Sequence, residues 1–163
     1  MSTRIRPAIA ADLTLIASLI RELAEYERLA DKVRFDEAEL KRNLFGGHPA
    51  AEVLIGELDG VPQGFALFFP NFSTFEGKPG IWLEDLFVRP EARGKGLGKA
   101  LIASVAALAV QRRCARFEWA VLDWNTPSIE FYRTLGATEM SEWRVMRLEG
   151  DALARLGARF TGA

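Results

Sequence analysis

Residues 81–101 read IWLEDLFVRPEARGKGLGKAL, an apolar strand pattern that passes through a short Arg/Gly-rich loop into an Ala/Leu-rich helix. Leu83, Leu86, Phe87 and Val88 make the strand, Pro90 stops it, and Gly94, Gly96 and Gly98 let successive N–H groups converge on one point. Such a turn at a helix N-terminus is suited to a phosphate-bearing ligand. Two familiar glycine loops fail by counting. A Walker A loop ends in Lys followed by Ser or Thr, but Lys99 is followed by Ala100, and a GxGxxG fingerprint lacks its third glycine here. What remains is Arg93-x-x-Gly96-x-Gly98, placed after a strand and before a helix.

The rest of the chain narrows the class. At 163 residues it is the size of one domain, and 21 Lys and Arg against 22 Asp and Glu leave no field to attract nucleic acid or a membrane surface. One cysteine, Cys114, and one histidine, His48, exclude a disulfide framework and a Cys/His metal cluster. Charged residues near the start, MSTRIRPAIAADL, are unlike a secretory signal, and the sequence has no apolar run of about 18 residues. A cytoplasmic protein is expected.

Hydropathy periods predict strands at 3–6, 52–57, 63–69, 81–88, 116–122 and 143–148. They predict helices from Asp12, from Asp36 with Glu39 as a capping-box-like start, over 97–112, and over 127–135 with Gly136 as its C-cap. Asp59-Gly60 signals a hairpin turn, and Pro70 to Gly80 reads as a loop able to narrow a cleft. The expected architecture is α/β, one mixed sheet covered by helices.

This order of elements resembles the GNAT superfamily of acyl-CoA-dependent N-acyltransferases, whose signature is RxxGxG. Four segments resemble its diamine (spermidine/spermine) and thialysine N-acetyltransferase branch: IRPAIAADL at 5–13, LIRELAEYE at 19–27, LEDLFV with RGKGLG at 83–98, and WNTPSIEFYRTLGA at 124–137. The segment before Trp143 departs from the acidic pattern of the diamine enzymes. The resemblance implies a single GNAT domain over 1–163 with a central, mostly antiparallel sheet. It also implies acetyl-CoA as co-substrate without a metal, a small-molecule amine acceptor and a homodimer.

Transferring acetyl from a thioester to an amine needs an anion site, a proton acceptor and a proton donor. The main-chain groups of Arg93, Gly94, Lys95, Gly96, Leu97 and Gly98 are expected to hold the CoA pyrophosphate, with charge added by Arg93, Lys95 and Lys99. The resemblance implies that the pantetheine arm pairs with backbone groups of Leu86, Phe87 and Val88, and that Asn125 and Ser128 in WNTPS contact CoA. It assigns Tyr132 as the general acid for the departing thiolate, a role a phenol of ordinary pKa near 10 can fill against a thiol near 8.5. The acceptor amine is protonated at neutral pH and needs a base. Period-2 alternation sends Glu84 and Asp85 to opposite faces. Glu84 is taken as the substrate carboxylate, able to relay a proton through water, and Asp85 as a structural residue. Tyr26 and Glu27 match polyamine contacts in the branch. Cys114 has no adjacent His and is read as a spectator, so direct transfer in a ternary complex is expected. Two other readings stay open: an acetyltransferase acting on a protein N-terminus or lysine, and an acyl-CoA sensor without turnover.

Overall fold

Alternating apolar residues in the middle of the chain build the sheet on which everything else is mounted. In the computed structural model, which describes residues 2–160, strands β1 (Thr3–Pro7), β2 (Glu52–Leu58), β3 (Val61–Ser73), β4 (Lys78–Val88) and β5 (Phe117–Trp119) lie in the order β1-β2-β3-β4-β5. The first four pair antiparallel and β5 joins β4 in parallel. Asp59 and Gly60 both take positive φ, 49° and 78°, the two-residue turn whose twist matches a hairpin.

Helices α1 (Leu13–Tyr26) and α2 (Glu37–Phe45) cover one face. There Ile16, Leu19, Leu23 and Leu44 pack with Val53, Ile55, Phe65, Leu67 and Phe87. Helix α3 (Leu97–Gln111) covers the other, where Leu97 and Leu101 lie close against Gly56 of β2. Asp36 caps α2 as expected, its side chain accepting the Glu39 N–H at 2.7 Å. Asp12 does not cap α1. Its carboxylate turns back to accept the Ile9 N–H at 2.8 Å and two bonds from Arg6, whose Nε also donates to Glu57 at 2.7 Å. This network ties β1, β2 and the approach to α1 together.

Three expectations are corrected. The segment 70–80 is no open loop: β3 runs on to Ser73 and pairs with β4 down to Lys78, so only a short turn remains at the tip. Strand β5 spans three residues rather than seven. Residues 143–148 form no strand. Trp143, Val145 and Met146 are exposed, and a helix, α5 (Gly150–Gly157), follows instead.

The chain divides into two compact units between Leu122 and Asp123. The first holds the sheet and α1 to α3. The second holds α4 (Thr126–Thr134) and α5. Among the described residues no helix is long and apolar enough to cross a membrane.

Candidate active site

The glycine loop is built as the sequence demands. A short 3-10 turn at Pro90–Ala92 delivers the chain to Arg93, and Gly94 and Gly96 take φ of 73° and 83°, left-handed backbone that costs a side chain about 1–2 kcal/mol. Gly96 is the N-cap of α3. A Cβ on either glycine would meet nothing within 4 Å, so the loop is an open cradle in front of the unpaired N–H groups of the helix start. Leu97 itself is core, so only its main chain can serve the cradle. Lys95 and Lys99 are exposed beside it.

Strand β4, which feeds the loop, has one free edge. Strand β5 pairs with it only at Ile81, Trp82 and Leu83. Beyond Leu83 the parallel partner ends, and among the described residues no strand continues the ladder on that side of β4. The Arg89 N–H donates to the Gln63 carbonyl, and alternation then turns the main chain of Phe87 toward β3 as well. A Cβ on Gly64 of β3 would come 2.5 Å from the Phe87 carbonyl oxygen, in keeping with that orientation. Leu86 and Val88 therefore present their backbone at the open edge. Phe87, expected to do the same, does not; its side chain is core, and its amide belongs to the β3 ladder.

The β3–β4 register breaks at one place. Leu67 pairs with Asp85 and Phe68 with Leu83, leaving Glu84 as the extra residue of a bulge. The bulge resets the alternation. Asp85 shares the face of Leu67 and Phe87 beneath α1, while Leu83 faces α3 with Phe68. The expectation that Glu84 and Asp85 point to opposite faces thus fails, because period 2 holds only in an unbroken ladder.

Three carboxylates come together there. Glu27, the C-cap of α1, has its pKa raised by burial and by the charge of Glu84. Asp85 is pushed up to about 7, first by burial and then by Glu84 and Glu27. Glu84 is exposed, and the Trp82 indole Nε1 donates to its Oε2 at 2.9 Å. Asp85, expected to be structural, belongs to the cluster; its sequence signal is a pair of adjacent acids in an otherwise apolar strand. Its neighbours are acids, so it has not the role of a strand-face partner for a surface arginine. The cluster can attract a cation and accept a proton near neutral pH.

Tyr26 packs against the core from the last turn of α1. The Arg93 guanidinium lies over its ring, 4.6 Å from Cζ to centroid, and Arg93 Nε donates to the Val88 carbonyl at 2.9 Å. The Arg93 side chain is thus folded back onto the strand.

In the second unit, Asn125 is buried as the N-cap of α4, and its side-chain oxygen accepts the Ser128 N–H at 3.4 Å. Gly136, with φ of 88°, ends the helix: the Ala137 N–H reaches the Tyr132 carbonyl and the Gly136 N–H that of Arg133. Tyr132 lies half-buried on α4, its ring 5.4 Å from that of Phe131.

Comparison with known proteins agrees with this construction. The acetyltransferase (GNAT) family model matches residues 16–137, from α1 through the glycine loop to the end of α4. A thialysine N-epsilon-acetyltransferase of Sus scrofa is 40% identical, covering 97% of this chain and 99% of its own length. The L-ornithine N5-acetyltransferase NATA1 of Arabidopsis thaliana is 34% identical over 94% of this chain and 87% of its own. Among solved structures, an integron cassette protein from the mobile metagenome of V. cholerae superposes with a TM-score of 0.79 at 28% identity, covering 96% of this chain and 98% of that one. With strand, cradle and helix all inside the matched region and relatives aligned nearly end to end, the chain belongs to the GNAT family and is an N-acetyltransferase.

Proposed function

We propose that the chain transfers an acetyl group from acetyl-CoA directly to the primary amine of a small molecule bearing a second cationic group: a diamine, a polyamine, or a lysine-like amino acid such as thialysine. The convergence of Glu27, Glu84 and Asp85 at the bulge of an open-edged strand carries this reading. Full-length similarity to enzymes named for thialysine and ornithine, both amino acids with a side-chain amine, supports the acceptor class.

Acetyl-CoA supplies the thioester. The open cradle fits its pyrophosphate by backbone N–H groups and helix dipole, and the edge at Leu86 and the N–H of Val88 suit the amides of its pantetheine arm, the Val88 carbonyl being taken by Arg93. An ammonium entering the cluster relieves the repulsion among three acids. Asp85, its pKa pushed up to about 7, takes the amine proton, directly or through water; Glu84 and Glu27 hold the cationic groups. The freed nitrogen lone pair then attacks the carbonyl carbon, the C–S bond breaks, and the thiolate takes a proton from Tyr132, the role the family resemblance gives it; the second proton that the nitrogen sheds in becoming an amide returns to the Tyr132 phenolate through water, and Asp85 releases the first to solvent. Residues 1–163 act in this reading as one catalytic domain, the family match crossing the division at Leu122.

The test is to add acetyl-CoA and each of putrescine, spermidine, lysine and thialysine to the protein, following free thiol and the acetylated product by mass spectrometry. Equal amounts of thiol and N-acetylated amine are expected with at least one of the four. Thiol release independent of amine, or no release with any, contradicts the proposal.

A further inference from the structure

We infer that Arg93 is a positioning residue that couples the cofactor cradle to the amine cluster, and that it does so through the ring of Tyr26. The inference rests on the functional reading above and adds a communication between its two halves.

Arg93 stands at three junctions at once. Its backbone opens the glycine loop, its Nε holds the carbonyl of Val88 at the end of the free strand edge, and its guanidinium covers Tyr26. The same guanidinium lies 5.8 Å from the centroid of the Phe87 ring, so it contacts aromatic residues of two different elements. Tyr26 is the last residue of α1, and the next residue is Glu27, whose charge bears on Asp85. A shift of the loop on binding a pyrophosphate therefore reaches Glu27 through one side chain and one ring. Geometry supplies the reason that arginine does this. A planar guanidinium can donate in its own plane to Val88 and stack its face on Tyr26 at the same time, which a lysine ammonium cannot. Linkage then demands reciprocity: if the cradle sets the amine site, occupation of the amine site sets the cradle.

The test uses Arg93→Lys, Tyr26→Leu, Tyr26→Phe and the Arg93→Lys/Tyr26→Leu double variant in the full chain, each checked for an unchanged circular dichroism spectrum. Two quantities are read: the dissociation constant of acetyl-CoA and the KM of the amine. Loss of a stacked cation is expected to cost about three- to tenfold. Tyr26→Leu should weaken acetyl-CoA although it lies on the amine side, and Arg93→Lys should raise the amine KM. Tyr26→Phe, which keeps the ring, should restore the acetyl-CoA affinity that Tyr26→Leu loses, and the double variant should be no worse than the poorer single one. Effects that multiply in the double variant, or Arg93→Lys acting only on acetyl-CoA while Tyr26→Leu acts only on the amine, would overturn the coupling. A wild-type chain that binds no acetyl-CoA would instead defeat the functional reading on which it stands.

Discussion

Asp85 is a carboxyl group placed where it is costly to ionise. The folded chain keeps it protonated up to about pH 7, whereas in the unfolded chain it ionises near its ordinary value of 3.8. Its contribution to stability is therefore complete below about pH 4, drains away as the pH climbs toward 7, and is gone above it. Asp85→Asn should raise the melting temperature at pH 8, by an amount equivalent to roughly 2–4 kcal/mol, and change it little at pH 4. Thermal unfolding at the two pH values reads this, and an equal effect at both would deny the burial argument. The same substitution should flatten the rise of kcat with pH around 7, since it removes the proton acceptor. Tyr132→Phe belongs to the other proton. It should lower kcat by roughly a hundredfold, with acetyl-CoA affinity nearly unchanged, in steady-state kinetics where chemistry limits turnover. Wild-type kcat in that variant would return Tyr132 to a packing role beside Phe131.

At the level of elements, the glycine loop offers a separation of folding from binding. Gly94 and Gly96 sit in left-handed backbone, so substituting them strains the fold whatever else it does. Gly98 is different. It lies in the first turn of α3, where a Cβ would make only an ordinary contact with Val88 at 3.7 Å, and an acid there favours the helix dipole. Gly98→Asp should therefore keep its melting temperature yet lose acetyl-CoA binding by at least tenfold in calorimetry, since it places a carboxylate in the anion cradle. Intact binding would remove the cradle from the account. The loop was legible in the sequence because φ-permissive residues, a strand stop and a helix start have local signatures, as did the Asp59-Gly60 turn. The bulge at Glu84 had none: an inserted ladder residue leaves composition untouched, and with it went the true face of Asp85. The Pro70 to Gly80 stretch misled for a similar reason. Its Pro and Asn are turn formers by propensity, but pairing of Asn71 with Gly80 and of Pro70 with Ile81 overrode them. Residues 143–148 alternate like a strand, yet alternation supplies no partner, and they pair with none in the sheet of five.

For the whole molecule, the family and the mixed α/β class followed from motifs spread over most of the chain, whereas assembly has no such signature. The resemblance to the diamine acetyltransferase branch leads us to expect a homodimer, and sedimentation velocity at micromolar concentration should give twice the monomer mass; a monomer there would refute that expectation. A near-balanced net charge of -1 gives no long-range attraction for polyamines, so selectivity has to come from the local cluster of acids. Comparing putrescine with butylamine isolates that claim, because the two share chain length and reacting amine and differ in the second cation. At least tenfold higher kcat/KM is expected for putrescine, with most of the preference lost in Glu27→Gln and Glu84→Gln through the amine KM. Equal kcat/KM for the two amines in the wild-type enzyme would contradict it.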